Sequence, residues 1–525
     1  MFLGLEAGKN RNAVNGTVPS PDIRKMNTRR IMDKFKFLRA CAFFLLMAAT
    51  SAFLPAQTFT ILHKLVNGEG STSSAGLVQG LDGNLYGTAE TGGAFYTDCV
   101  GLLPQRIGCG SVFKVTPSGK LTVIHSFSGK DGSFPGSGLL LGPDGNFYGV
   151  TQTGGTGGFP GRGGFGTIFK ITPAGVFTKL YNFTGFNDGA TPQAPLIFGI
   201  DGNLYGTTYS NGTSTGLCRP GCGTVFRLAP NGVRLTTLHT FGIVPDGGNP
   251  HGSLVQAPNG NFYGTTTYGG ASLPNWGTVF SITPSGKYTV LHYFDVANPN
   301  DVGDPFGGII LATDGNFYGS AIQGGQNGLG GIYKITPSGE FTLLHSLDDS
   351  DTIPEGDLIQ ASDGNLYGTA VWNGTTYAGS IFQMTLDGTF TILYSLPNIY
   401  PLQDASYAPI FQATNGELYG ITAEAGLFNK TCPDGCGYIF SLSTGLAPIV
   451  EPLPISGKVA SAVKILGTNL TGATSVSFNG KAAIFTLVSP TEITTTVPAG
   501  ATTGAVKVVL PSETLKSNPV FTVRP

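Results

Sequence analysis

Histidines, a recurrent acid and three cysteine pairs are the residues of this 525-residue chain best placed to do chemistry. Five of the six histidines, His63, His125, His239, His292 and His345, hold one position of a repeated segment, and Tyr181 and Tyr394 take it elsewhere. A residue repeated in this way serves packing or a hydrogen bond to the neighbouring repeat rather than a single active site. His251 is the exception and falls in a loop. An acid recurs a few residues after that position: Glu69, Asp131, Asp188, Asp246, Asp301, Asp351 and Asp404. Two readings stand for it. Each acid caps a tight turn, or together they form an acidic ring that takes a cation or a basic or sugar-like ligand. Next comes Pro and then a variable residue: Gly136, Gln193, His251, Phe306 or Glu355. Gln193, His251, Phe306 and Glu355 are therefore candidate ligand-binding residues. The aromatics Trp276 and Tyr377 join them, with Phe95 and Tyr96 nearby; such rings stack on sugars or peptide side chains, or simply pack their loops.

No catalytic residues are assigned. The chain holds no G-x-S-x-G, P-loop, H-E-x-x-H or zinc-ligand spacing. Gly161–Gly166 fits G-x-G-x-x-G, but a strand-like segment follows it where a dinucleotide site needs a helix. Cys41 lies in the N-terminal segment, and the other six cysteines fall as local pairs, Cys99/Cys109, Cys218/Cys222 and Cys432/Cys436. No His accompanies any pair, so disulfides clipping long loops are expected, with metal binding as the weaker alternative. No cofactor is expected. Calcium is the one ion that the repeated Asp turns described next could serve, although one carboxylate per turn is a thin ligand set.

The elements that position these residues come from one seven-fold phrase: DGNLYGT at Asp82–Thr88, with variants beginning at Asp144, Asp201, Asn259, Asp314, Asp363 and Asn415. Each unit reads as four short β-branched or aromatic runs bounded by Gly, Pro, Asn or Asp, the signature of antiparallel hairpins. No helical period appears. A four-stranded meander cannot bury both faces alone, and radial repetition makes it a propeller blade. The last unit lacks its fourth strand, whereas Thr58–Leu65 is a fourth strand without a unit. The expected fold is all-β: a seven-bladed β-propeller whose N-terminal strand closes the last blade and removes the open edges. The DGN and PSG turns share a uniform face. Long variable loops, including every cysteine pair, share the other, and function concentrates on variable loops held by a rigid scaffold. The acids and the Pro-X residues should lie near the rim of the central channel on that face.

DGNLYGT, a following GG, GTVFKITPSG and LHSF together resemble the GloVer tandem-repeat proteins, a family of exported bacterial proteins with varied C-terminal anchors. The resemblance spans residues 58–445 and implies a propeller-like fold without assigning an activity. Residues 446–454 read as a Pro-rich linker. Residues 455–525 carry PISG, VKILGTNL, VSFNGKAA, TTTVPAGATTG and NPVFTV, and resemble an IPT/TIG domain, an immunoglobulin-like sandwich. Such domains in exported proteins act as spacers or docking modules.

Charged residues are only 11% of the chain and the net charge is −2, so no basic field exists to attract nucleic acid or anionic lipid. Residues 1–57 read as an N-terminal extension and secretory signal: Arg29, Arg30, Lys34, Lys36 and Arg39 precede an apolar run, Ala40–Leu54, too short for a comfortable span. Either Met1 or Met26 could be the start. The expectation is a protein exported to the periplasm, the cell surface or the medium, without a transmembrane segment after processing. It would bind a glycan or protein on the variable-loop face without catalysis. The alternatives are a carbohydrate-active lyase or glycosidase on a propeller scaffold, and a purely structural surface protein.

Overall fold

A computed structural model of the chain describes residues 57–73, 75–94, 99, 108–157, 163–212, 221–270, 276–348, 354, 356–370, 379–396, 408–423, 435–518 and 520–525. The expected N-terminal signal (residues 1–56), Phe95, Tyr96, Cys218, Asp351, Glu355, Tyr377, Asp404 and Cys432 lie outside these residues. The described residues are all-β, and none of their elements is a helix long and apolar enough to cross a membrane.

Seven separate four-stranded antiparallel sheets follow one another, each a meander in chain order. Blade 1, for example, comprises Val78–Gln79, Leu85–Ala89, Ser111–Val115 and Leu121–Ser126. Blade 7 is completed by the N-terminal strand Thr58–Lys64, which pairs with Tyr438–Ser443 from Thr58↔Ser443 to Lys64↔Tyr438. The ring therefore closes between the two ends of the repeat array, and no blade is left with an open neighbour. First strands of adjacent blades approach one another, as at blades 1 and 2 and blades 4 and 5. This places the two-residue first strands around the channel and the half-exposed fourth strands at the periphery.

The repeated phrase accounts for its own residues. Asp82 accepts hydrogen bonds from the Asn84 backbone N–H (3.2 Å), the Asn84 amide (2.7 Å) and the Tyr86 hydroxyl (2.9 Å). Asn259 does the same work without charge, accepting from the Asn261 N–H and donating to the Tyr263 hydroxyl. The motif's second glycine sits in mid-strand because the third-strand phenylalanine lies across it. A Cβ at Gly87 would stand 2.7 Å from the Phe113 ring. Its tyrosine then stacks on the second strand of the next blade, with Tyr86 and Phe147 4.0 Å apart.

Blades are joined at the periphery by a device that recurs around the ring. The third–fourth strand register slips by one residue just before the histidine position, as between Val112 and Phe113. Such a bulge re-aims the side chains around it. The bulged Ile124 turns its carbonyl toward Gly175 in the third turn of the next blade, where a Cβ would lie 2.7 Å from that oxygen; Gly175 also holds φ at +88°. His125 is aimed back at Asp131 (2.9 Å) and stacks on Phe177 of the next blade at 4.1 Å and 8°. His239 on Tyr288 and His292 on Phe341 repeat the stack. At the closure His63 bonds both Glu69 and the Gly119 carbonyl of blade 1.

The expected linker is corrected at 446–454, because Ile449–Leu453 is a strand of the C-terminal domain. Its first half pairs in parallel with Thr514–Ser517 and its second half antiparallel with Ala462–Leu466. It thereby joins both layers of a sandwich whose core includes Val450, Ile465, Phe478, Ile493, Val508 and Phe521. Pro452 disguised this strand in the sequence. The sandwich rests on the DGN-turn end of the propeller. Thr491 donates to the Leu81 carbonyl (2.7 Å), Asn518 to that of Gln360 (2.5 Å) and Arg524 to that of Ile200, while Thr468 and Thr414 share a hydrogen bond.

Two outcomes follow. Gly175→Ala, which meets both a positive φ and the Ile124 carbonyl, should lower stability by more than about 1 kcal/mol in chemical denaturation. Acidification should also destabilise the ring. Burial works against ionisation of Asp131, Asp144 and Asp314, but hydrogen bonds, from His125 and Ser128 at Asp131 and from the Asn and Tyr of the motif at the other two, outweigh it. All three carboxyls are held below their ordinary value of 3.8. Their contribution is present above that value and lost as pH falls through the depressed ones. Denaturation midpoints should therefore drop below about pH 4.

Candidate functional site

The five acids among the described residues are engaged by the fourth strands. Among the described ones, Glu69, Asp131, Asp246 and Asp301 each lie within 2.8–3.0 Å of a fourth-strand histidine Nε2, and Asp188 accepts from the Tyr181 hydroxyl at 3.0 Å. They are held at the periphery by the strand that they cap. Asp131 also accepts from the Ser128 N–H, and Asp188 from the Thr184 N–H. The ring reading is therefore corrected for these five. A carboxylate paired inside its own blade is not presented to a ligand in the channel.

The Pro-X segments, expected at the channel rim, run directly into the first strands, and the backbone shows how they are held. The residues before the prolines, Phe134, Thr191, Asn249 and Asp304, all have positive φ, between 53° and 57°. This conformation is costly for residues with a side chain and persists only where surroundings impose it. Here each is clamped on both sides. The Asp304 N–H donates to the Trp276 carbonyl and its carbonyl accepts from Ile322; Asn249 is held likewise by Cys222 and Thr267. The buried cysteines Cys109 and Cys222 thus support these segments through their carbonyls. Cys99 and Cys109 form a disulfide, and Cys222 and Cys436 are also disulfide-bonded.

At blades 3 to 5 these segments differ from the rest of the repeat. His251 lies against Phe306 with centroids 4.0 Å apart, and the Tyr209 ring stands edge-on at 6.2 Å. The His251 Nδ1 is 3.1 Å from the Phe306 carbonyl. A carbonyl only accepts, so Nδ1 carries the proton and Nε2 is left as an acceptor. Burial lowers the His251 pKa, against the opposing effects of that hydrogen bond and of Asp357, so the ring is neutral at pH 7. Asp357 accepts from the Ser253 hydroxyl (2.6 Å) and the Gly308 N–H (2.5 Å).

Asp304 differs from its counterparts. Thr191 bonds Ser210, and Asn249 donates to the Tyr209 carbonyl. The Oδ1 of Asp304 is buried without a hydrogen-bond partner among the described residues, and so is the Oε1 of Gln193. Burial alone raises the Asp304 pKa to about 6. Burial, followed by the nearby Tyr268 and Asp304, raises the Tyr209 phenol. Around the ring, burial raises Glu90 against the hydrogen bond from Gln152 (3.3 Å).

The structure brings His251 and Phe306 together and places Gln193 at the equivalent position of the preceding blade. Trp276 does not join them. It packs against the buried cluster around Val302, and a Cβ on Gly303 would lie 2.8 Å from it. Glu355 and Tyr377 lie outside the described residues. Sequence reading missed Tyr209, Asp304 and Asp357. For Asp304 a signal existed: it is the only acid that directly precedes the proline of a Pro-X segment.

A family model for the Gloeobacter/Verrucomicrobia repeat matches residues 104–300 and 274–449. A model for the IPT/TIG domain matches residues 450–523. No curated protein matches the chain. Among solved structures, the chain is similar to a gluconolactonase from Xanthomonas campestris at 16% identity, covering 62% of this chain and 90% of that one, with a TM-score of 0.35. It is similar to a putative glucose dehydrogenase from Thermus thermophilus at 15% identity, covering 74% and 100%, with a TM-score of 0.37. A protein of unknown function from Dyadobacter fermentans aligns at 10% identity, covering 74% and 98%, with a TM-score of 0.41. At these scores the three carry no argument about function.

Asp304 yields a test of the site's electrostatics. A carboxyl at 3.8 when unfolded and about 6 when folded costs the native state stability as pH rises between those values. Asp304→Asn should therefore raise the unfolding free energy at pH 8 by on the order of 1–3 kcal/mol, read by chemical denaturation. The gain should vanish near pH 4.

Proposed function

The chain belongs to the Gloeobacter/Verrucomicrobia repeat family, and on that premise we propose that it is an exported binding protein that recognises a glycan at the loop-face mouth of its propeller. One observation carries the reading. Three acceptors without donors among the described residues, His251 Nε2, Asp304 Oδ1 and Gln193 Oε1, accompany the Phe306 ring in neighbouring Pro-X segments. Hydroxyls of a sugar supply the donors that such acceptors lack, and a sugar's apolar face meets an aromatic ring. A protein ligand offering a basic or hydroxyl side chain is the variant of the same chemistry.

Binding is favoured over glycoside hydrolysis by the carboxylates. Hydrolysis needs two carboxyl groups flanking the bond. Among the described residues of this cluster, Asp357 is already held by Ser253 and Gly308, which leaves Asp304. Export is supported by the bonded cysteines, which persist in oxidising compartments. The basic and apolar run at residues 29–54 supports it too.

A glycan array probed with the protein, followed by titration of any hit, tests this. At least one glycan class should bind. Phe306→Ala should weaken it at least about tenfold, the loss of roughly 1.4 kcal/mol expected for a central aromatic contact. Affinity should also fall as pH drops below about 6, where Asp304 gains a proton and becomes a weaker acceptor. Absence of binding to every glycan would sink the sugar reading, and cleavage of a bound oligosaccharide would favour the lyase or glycosidase.

A further inference from the structure

The opposite end of the propeller carries a second cavity, of about 800 Å³, between the DGN-turn ends of blades 2 to 6 and the C-terminal sandwich. That volume lies in the range of small-molecule sites, which favour domain interfaces. Its floor comes from the first strands, and the repeats explain why it is apolar. In four blades the last residue of the first strand is Gln, and its Oε1 accepts a backbone N–H from the first turn of the preceding blade. Gln256 takes that of Ile200 (2.8 Å), Gln360 of Thr313 (2.9 Å), Gln412 of Ser362 (2.8 Å) and Gln79 of Thr414 (2.9 Å). Where that turn residue is proline, at Pro143 and Pro258, no N–H exists. There the following blade carries Phe198 or Leu311 instead. Leu81 and Leu141 are the one pair that keeps an N–H opposite an apolar residue. Leu141, Phe198 and Leu311 all line the cavity.

The roof is Leu453, Pro454, Ile455 and Val520 of the sandwich. Ile455 and Val520 keep 50% and 46% of their surface exposed, although the domain has a core to receive apolar side chains. None of the described lining residues is charged. The amides among them are already engaged. Gln256 and Gln360 also donate to the Gly260 and Gly364 carbonyls, Asn259 to the Tyr263 hydroxyl, and Asn518 to the Gln360 carbonyl. A ligand that brought many donors or any charge would leave them unpaired in this chamber, at a cost.

We propose that this chamber is a binding site for a single alkyl chain, such as the acyl tail of a lipid, held between the propeller and the immunoglobulin-like domain. Its recognition is burial of methylenes, and the hydroxyls of Thr313, Ser456 and Thr522 are what remains to meet a polar end. This site is separate from the loop-face mouth and stands or falls independently of the glycan reading.

Calorimetric titration of the full chain with 1-alkanols from 1-hexanol to 1-dodecanol tests it. Each added methylene should tighten binding about fourfold until the chamber fills, the factor that corresponds to about 0.8 kcal/mol per buried CH₂. Ile455→Trp, at a half-exposed position, should block the chamber and weaken 1-dodecanol at least tenfold without moving the melting temperature. If it does lower the melting temperature, Val520→Trp serves in its place. Pelleting with phosphatidylcholine vesicles separates the sources of the chain. Co-sedimentation lost in the blocked variant points to a bilayer lipid, and alkanol binding without pelleting points to a free chain. No chain-length dependence, or 1-dodecanol affinity unchanged in both Trp variants, would overturn the proposal.

Discussion

A one-residue bulge in the fourth strand of each blade is the feature on which the ring depends. A sheet of four short strands has no means of gripping its neighbour by backbone pairing, because every blade is a separate sheet. The slip in register before His125 does two things at once. It turns the Ile124 carbonyl onto a glycine of the next blade, and it turns the histidine ring flat against that blade's first fourth-strand aromatic. The acid that follows holds the imidazole from behind. Its own carbonyl accepts from a third-strand hydroxyl of the next blade, as Thr167 does toward Asp131. Each connection is thus tied to the blade behind by its side chain and to the blade ahead by its backbone.

That arrangement separates structure from recognition. Titratable residues that recur are consumed by the joints, at the periphery and in the DGN turns. Ahead of the first strands lies the short Pro-X segment, its residue before proline forced into left-handed backbone conformation and clamped by two neighbouring strands. A rigid position whose side chain the scaffold does not need can vary from blade to blade. Gly136, Gln193, His251 and Phe306 are that variation, and Asp304 carries a buried Oδ1 without a donor among the described residues. At the other end the variation takes a different form. Four blades place a Gln opposite the N–H of the preceding turn, two place an apolar residue opposite a proline, and the apolar members of the set gather under the sandwich.

Much of this was legible in the chain. Seven copies of DGNLYGT counted the blades, and the unpaired strand at Thr58–Leu65 announced the closure, because period and missing parts are properties of sequence. The grouping of His251 with Phe306 was readable from their shared repeat position. The error over the acids has a physical origin: Glu69 or Asp131 looks alike whether its side chain turns inward to the channel or outward to a histidine. The choice rests on the bulge, which no spacing rule reveals. Ile449–Leu453 was hidden because Pro452 argues against a strand. It is tolerated there because the strand changes partners midway between two layers.

The sequence by itself determined the number of blades, the family, the ring closure and the residues that repeat, since each is a matter of which side chains recur at which interval. Only the tertiary structure decided which of them are spent on joints between blades. Whether an acceptor is left without a donor, as at Asp304 and Gln193, depends on neighbours contributed by other blades. Whether the apolar rims of blades 2 to 5 meet water or a roof depends on where the C-terminal sandwich lands. Both are contacts between segments far apart in the chain, and no local pattern of residues encodes them.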